Sequence, residues 1–366
     1  MNNFLGISEK SLATYLQAKK WQERYYLSLF PTRYTPFLTY ETLIAQSNGI
    51  SAAEIVSYDS SSPLKSRKTV DRLRGDIPGI RIARNMNEVQ INEATIIKHT
   101  VSNKNDQDMQ ALYDLIYDDV NYVVEAVNSR MEWIALQMLS QAKITLDKTN
   151  SAGVITESAI DFQLPSANKI VCSEADRYWT VANASTSKPI TDIRSAMATA
   201  KAKGIKIKYI LMNVDKLSGF LNSAETKEFI YGIMISESGI MPGVAPTLET
   251  VNRVLNQSGL PQIQVIDAVV DLEDENHDVV SVDPWTTKYV TFIPDMPLGK
   301  FLYGPIAAEN VQDNSTIQHK IGHVLVQSIT KADPVSVKTL GLCNAFPSWG
   351  TVGQCLIMNT ESHTTW

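Results

Sequence analysis

The chain has 366 residues, 44% of them hydrophobic and 20% charged, with a formal net charge of −6 and a pI near 5.5. That length buries a substantial core and divides into two or more domains, which excludes a disordered chain. The acidic balance excludes a protein whose whole surface grips nucleic acid. No apolar run is long enough to span a bilayer, and "MNNFLGISEKSLATYL" lacks the basic-then-apolar pattern of a signal peptide. Cys172, Cys343 and Cys355 form no C-x-x-C pair and read as buried, reduced thiols.

Residues 8–29 read as a helix with Ser8 as N-cap and Glu9 in the first turn. Pro31 and Pro36 then force an extended segment, "FPTRYTPFLTYETLIAQ", rich in aromatics but too short for a core of its own. It must lie on something else. Residues 47–85 are poor in large apolar side chains and punctuated by Gly and Pro, which predicts a long loop. From Lys65 to Arg84 there are seven basic residues against two acids, and "GIRIARN" suggests a two-stranded excursion within that loop.

The segment from Asp106 to Leu146 contains no Gly and no Pro. Its apolar residues Met109, Leu112, Ile116, Val120, Val123, Val127, Met131, Ile134 and Met138 are spaced three or four apart. That spacing predicts one continuous helix with a buried face. Unbroken, it would be about 60 Å long at 1.5 Å per residue. Its other flank carries Asp106, Asp108, Asp114, Asp118, Asp119, Glu125 and Glu132 against Arg130 alone. "KITL" and "AIDFQLP" then form a β-hairpin with one buried face.

Residues 190–300 alternate helix and strand, which predicts a compact α/β domain with a mixed sheet. "ITDIRSAMATAKAKG" starts at Thr191 or Asp192 as N-cap and ends near Gly204. "IKYILMN" is apolar enough to be buried on both faces, and "DKLSGFLNSAETKEFI" and "TLETVNRVLNQSG" are further helices. "IQVIDAVV" and "KYVTFIP" are strands, and "DLEDENHD" between them reads as a solvated loop. From His319 the chain is strand-like through "HKIGHVLVQSIT", "VSVKTLGLC" and "VGQCLIM".

No catalytic constellation emerges, and no catalytic, cofactor-binding or metal-binding residue is assigned. His319 and His323 have a spacing that suits a metal only on a helix; on a strand they stand about 13 Å apart. There is no Walker A pattern, no G-x-G-x-x-G after a strand and no G-x-S-x-G elbow. The basic segment 65–84 contains no Phe, Tyr or Trp for base stacking. A basic arm and an acidic helix flank in one chain read instead as complementary surfaces of neighbouring subunits.

The order of these parts resembles the major capsid proteins of tailed bacteriophages, the Hong Kong 97 fold, and most closely the branch typified by the lambda major head protein. The resemblance is carried by "LFPTRYTPFLTYE", "AIDFQLP", "RYWTVANASTSKPITDIRSAMATAKAKGIKIKYILMNVDKLSGFLNSAETKEFI", "FIPDMPLGKFLYGPIAAEN" and "KADPVSVKTLGLCNAFPSWG". These matches stand in order over most of the chain, while the ending "NTESHTTW" matches nothing.

The resemblance implies an α+β fold. Residues 1–46 would be an N-terminal arm lying along a neighbour, 47–95 an extended loop and 96–165 a peripheral domain with a spine helix. Residues 166–318 would be an axial domain, and 319–366 returning C-terminal strands. It implies no enzyme and no cofactor. The subunit would assemble in the host bacterial cytoplasm into hexamers and pentamers of an icosahedral or prolate virion shell. Its partners would be itself, scaffolding, portal and decoration proteins, and packaged double-stranded DNA contacted non-specifically, with no membrane. The expected intersubunit residues are Lys65, Arg67, Lys68, Arg72 and Arg74, meeting Asp114, Asp118 and Asp119 of the next spine, in a shell without covalent cross-links. The rival readings are an encapsulin-like nanocompartment, a soluble homo-oligomeric α/β enzyme, and a nucleic-acid-binding protein using residues 65–84.

Overall fold

A computed structural model describes residues 8–45, 70–100, 106–146, 159–238, 246–274, 276–311, 313 and 315–366. The chain divides into two compact units. One comprises residues 1–40, 74–133 and 300–348, and the other residues 41–73, 134–299 and 349–366. Together they make a mixed α+β protein.

In the first unit, helix α1 (Glu9–Ala18) opens with a reciprocal cap. Ser8 Oγ accepts from Ser11 N–H, and Ser8 N–H donates to Ser11 Oγ. Leu12 and Leu16, one turn apart, are fully buried. The single helix expected over 8–29 is in fact two, because the segment 19–24 is extended before α2 (Tyr25–Leu29). Trp21 Nε1–H donates to the Leu16 carbonyl at the end of α1, and Arg24 is drawn to Glu125. Contacts with residues a hundred positions away interrupt a locally helical sequence.

Two further helices follow, α3 (Glu88–Thr100) and α4 (Asp106–Gln141). The strands of this unit are β1 (Thr32–Tyr34), β4 (Gly79–Asn87), β13 (Lys300–Tyr303), β14 (Thr316–Ile321), β15 (Val324–Ala332) and β16 (Val335–Ser348). They form one sheet in the order β1-β13-β16-β15-β14, with β4 pairing on β16. The fourteen residues of β16 are long enough to serve three partners: β13 near its end, and β15 and β4 along its earlier part. The "GIRIARN" segment is therefore β4 of this sheet, in register from Ser336↔Asn87 to Asn344↔Gly79, and not a local excursion of a loop. Its alternation puts Ile80, Ile82, Arg84 and Met86 on the more buried side. "HKIGHVLVQSIT" is likewise a hairpin and not one strand: Gly322, with φ +56°, and His323 make the two-residue turn between β14 and β15.

Strand β3 (Val70–Asp76), which pairs with β2 (Thr39–Ala45) of the preceding arm, accounts for more of the expected loop. Its residues 47–69 lie outside the described residues.

Helix α4 is the long helix the periodicity predicts. It stops at Gln141, five residues before Leu146, where Ala142 turns to φ 52° and the chain enters a hairpin. Among its described side chains Val120, Val123, Val127 and Met131 are at most 2% exposed, and from Met131 to Ser140 nearly every position is buried. Gly341 of β16 lies so close to the helix that a Cβ there would stand 2.7 Å from the Val123 carbonyl oxygen. No larger residue fits without moving helix or sheet.

In the second unit, β5 (Lys143–Thr145) and β6 (Ala159–Asp161) form the expected hairpin. A five-stranded sheet combines β7 (Lys169–Val171), β17 (Leu356–Asn359), β12 (Tyr289–Ile293), β8 (Tyr209–Asn213) and β9 (Gln262–Ile266), in that order. Pairs β7–β17 and β8–β9 are parallel and the others antiparallel, so the sheet is mixed as predicted. β8 is buried at every position but its first, in keeping with its unbroken apolar run. "IQVIDAVV" divides between β9 and β10 (Val270–Glu273), which pairs with β11 (Val279–Val282). The acidic "DLEDENHD" is thus largely strand and hairpin tip, not a loop throughout.

Among the described residues this sheet is accompanied by α5 (Pro189–Ala202), α6 (Val214–Asn222), α7 (Ala224–Ser238) and α8 (Leu248–Gln257). The single helix expected from "DKLSGFLNSAETKEFI" breaks at Ser223 into α6 and α7. α5 starts one turn earlier than expected, with Pro189 in its first turn and Lys188 as an N-cap whose side chain makes no capping bond. Glu225 of α7 serves that end instead, accepting from Ile190 N–H and Thr191 N–H. Asp192, freed from capping, is buried and accepts Trp179 Nε1–H at 2.9 Å. Gly219 of α6 is required at another close approach, since a Cβ there would meet the Trp179 carbonyl at 2.4 Å.

The ending "NTESHTTW" is fastened into this unit. Glu361 binds the buried Lys216 at 2.6 Å, and Trp366 Nε1–H donates to the Ile357 carbonyl. Cys172, Cys343 and Cys355 are buried and free, and burial pushes each thiol up to about 12.

Candidate functional site

The polar flank of α4 within the first unit concentrates the charged chemistry singled out in the sequence. At Asp118 and Asp119, Arg84 of β4 bridges both carboxylates: its Nη1 donates to Asp118 Oδ2 at 2.7 Å and to Asp119 Oδ1 at 3.2 Å. The guanidinium carbon lies 4.1 Å from the ring centroid of Tyr122, one turn along the helix. The two acids differ in exposure. The Asp118 side chain is 66% exposed and that of Asp119 17%. Burial lifts the Asp119 carboxyl above the ordinary carboxylate range, and the Arg84 charge opposes the shift.

Further along, the helix holds residues 15–26. Tyr15 stacks on Tyr117 with ring centroids 4.0 Å apart, and its hydroxyl is hydrogen-bonded to Asn121. Glu125 takes Arg24 at 2.8 Å. Glu132, only 2% exposed, accepts the backbone N–H groups of Tyr25 and Tyr26, both at 2.9 Å, at the first turn of α2. A five-residue helix cannot satisfy its own first N–H groups, and Arg24 at its N-cap offers no acceptor, so Glu132 supplies the cap from another helix. Burial raises the Glu132 carboxyl, against the lowering effect of the two backbone hydrogen bonds. Asn128 Oδ1 accepts Tyr26 O–H at 3.2 Å and lies 2.9 Å from His323 Nε2. His323 is held neutral, its pKa lowered to about 4 by burial and by nearby Lys320.

The acidic flank is therefore partly consumed within its own chain. Residues 8–34 pack on their own unit, where α4 carries acceptors for them. Of the cations expected to meet a neighbouring spine, Lys65, Arg67 and Lys68 lie outside the described residues, as do the side chains of Arg72 and Asp114. Arg72 and Arg74 both stand on β3, and the Arg74 side chain is exposed. Asp118 keeps most of its surface free beyond its bond to Arg84. Sequence reading missed Arg84 as the partner, although a signal existed: it is the one cation on the apolar side of Ile80, Ile82 and Met86.

The arrangement fastens and aligns elements. Among the described residues no group of three or more His, Cys, Asp or Glu side chains could hold a metal ion, and no helix is long and apolar enough to cross a membrane.

The family described as phage major capsid protein E matches the chain over residues 8–358. No curated protein matches it significantly. Among the solved structures that share its fold at low identity are the following two. A phage-related protein from Bordetella bronchiseptica RB50 is 13% identical with a TM-score of 0.53, covering 97% of this chain and 98% of its own. A structure described as that of a prophage capsid protein from E. coli CFT073 is 14% identical with a TM-score of 0.55, covering 96% and 99%.

Proposed function

The chain belongs to the phage major capsid protein E family, which gives it a structural role in a phage capsid, and on that premise we propose that it is the repeating subunit of a Hong Kong 97-type head enclosing double-stranded DNA. The observation that carries this reading is the family match over nearly the whole chain, on an α+β fold aligned end to end with the two structures above.

In this reading the copies form hexamers and pentamers, and the head is assembled in the cytoplasm of a host bacterium with portal, scaffolding or decoration proteins as further partners. The unit containing β16 and the first part of α4 acts as the peripheral domain, with α4 as its spine. The unit containing α5–α8 acts as the axial domain. Of the segment 47–95, the part ahead of β4 reaches over an adjacent subunit, and Lys65, Arg67, Lys68, Arg72 and Arg74 meet Asp114, Asp118 and Asp119 of the neighbour's spine. Exposed ion pairs contribute only about 0–1 kcal/mol each, so the contact depends on repetition around the shell. DNA contact is weak and independent of sequence, in keeping with the net charge of −6.

Negative-stain electron microscopy of the purified protein, dilute and concentrated, tests the proposal. Rings of five or six, sheets or closed shells are expected. A uniform population of dimers or tetramers at every concentration overturns it.

A further inference from the structure

The hairpin β10–β11 presents apolar surface that nothing in its own unit requires. Val269, Val279 and Val280 are 66%, 65% and 53% exposed, whereas Val270 and Leu272 of the same ribbon are buried. β10 pairs with β11 and with no other strand among the described residues. A two-stranded ribbon is marginal by itself. The register sets Val280 opposite Leu272, on the inner face, and Val279 opposite Glu273, so Val269 and Val279 share the outer face with Asp271 and Glu273. Exposed valines on that face mark a surface that is covered in the working assembly. The tip is built and not slack: Asp274 Oδ1 accepts from Asn276 N–H and Asp278 N–H, and Glu273 binds His277. Around the valines stand the exposed acids Asp271, Glu273 and Asp278.

The same unit carries the complementary charge elsewhere. Lys201, Lys203, Lys206 and Lys208 fall within eight residues at and beyond the end of α5. Two are occupied: Lys203 Nζ donates to Asn168 Oδ1, and Lys208 pairs with Asp295 at 2.8 Å. Lys201 and Lys206 are exposed and form no ion pair among the described residues. Lys201 complements the C-terminal dipole of α5. Lys206 follows Gly204, with φ +69°, and Ile205, past the helix end, where that explanation no longer applies. Exposed Ala198 and Ala202 beside Lys201 leave low relief on which valines can sit.

Two copies cannot join hairpin to hairpin, because the acids would face each other. Hairpin to lysine surface is attractive, and such a head-to-tail contact repeats around a ring. Resting on the capsid-subunit reading, we propose that β10–β11 of one copy docks on the surface around Lys201 and Lys206 of the next copy. Val269 and Val279 supply the apolar contact, Asp271 and Asp278 pair with the lysines, and the lysine stems extend the apolar surface.

The test uses the full chain in three forms: Asp271→Lys with Asp278→Lys, Lys201→Glu with Lys206→Glu, and all four together, followed by light scattering and electron microscopy. Each two-site variant is expected to need about 10-fold or more subunit to assemble, and the four-site variant to return to within about 3-fold of the parent. That return also shows that the substitutions leave the fold intact. Three outcomes overturn the docking while leaving the capsid reading in place. They are both two-site variants equalling the parent, the four-site variant failing to recover, and the lysine variant assembling normally while its shells lose salt-sensitive retention of DNA, which makes nucleic acid the occupant. A parent that assembles at no concentration removes the capsid reading, and the docking with it.

Discussion

The carboxylate of Glu132 accepts the backbone N–H of Tyr26 at 2.9 Å from 106 positions away in the chain. It accepts Tyr25 N–H as well, and it is buried while doing so. One side chain thus ends the extended segment after α1 and starts α2. Replacing it with Ala leaves two backbone donors without an acceptor. Glu132→Ala should lower unfolding stability by about 2–4 kcal/mol and Glu132→Gln by less, measured by denaturant unfolding of the subunit. A cost within about 0.5 kcal/mol for Ala, the level of an ordinary surface substitution, would remove Glu132 from this role.

Arg84 should couple unequally to its two acids. Asp118 is mostly exposed and solvent screens its bond, whereas Asp119 is largely covered. A double-mutant cycle of Arg84→Met with Asp119→Asn should give about 1 kcal/mol or more, and with Asp118→Asn only a few tenths. Arg84→Lys should recover part of the charge term but not the planar stacking on Tyr122. Equal couplings would contradict the difference in exposure.

His323 makes the first unit sensitive to acid. Its folded pKa, lowered to about 4, lies below the unfolded value near 6.5, so the neutral ring is the form that the fold accepts. The stabilisation is present above pH 6.5 and is lost as the pH falls towards 4, amounting to about 3 kcal/mol at most. The carboxyls of Glu132 and Asp119 are shifted upward, and their contribution has the opposite sign: greatest below the ordinary carboxylate range, lost as the pH rises through the folded value. The stability of the parent minus that of His323→Asn isolates the histidine. This difference should fall between pH 7 and pH 4, and a flat difference would count against a buried neutral ring.

Gly341 is a packing requirement. A methyl group there meets the Val123 carbonyl at 2.7 Å and the Val123 Cβ at 2.9 Å, both parts of a rigid helix. Gly341→Ala should cost about 1–3 kcal/mol, and Gly341→Val more, read as a lower thermal midpoint of the subunit. Gly232, where an added Cβ meets nothing within 4 Å, serves as the control, because Gly232→Ala within a helix should be neutral or stabilising.

The proposed arm-to-spine contact predicts an assembly phenotype. Arg72→Glu with Arg74→Glu should impair shell formation, and Asp118→Lys should partly restore it. Asp119 is a poorer site for the compensating change because its side chain is largely covered, whereas that of Asp118 is mostly exposed. Assembly of the doubly reversed arm at parental concentration, seen by electron microscopy, would end this proposal.

Several elements were legible before any coordinates. The three-and-four spacing from Met109 to Met138 marks α4, the apolar run "YILMN" marks β8, and the alternation Ile160, Phe162, Leu164 follows the hairpin into its buried side. The family resemblance was legible as well, because it rests on the order of segments along the chain. Ser8 was readable as an N-cap because the N–H it serves is three residues away.

Tertiary structure alone decided where the charges go. Glu125 and Glu132 belong to one helical flank by spacing, yet one binds a guanidinium and the other caps α2. Thr191 and Asp192 both look like caps in sequence, but Glu225 arrives from α7 and Asp192 is turned to Trp179. Apolar periodicity reports which face of an element leaves water, since that depends on neighbours one turn or two residues away. The partner of a carboxylate depends on which donor comes within about 3 Å once distant segments have packed, and local spacing carries no record of that.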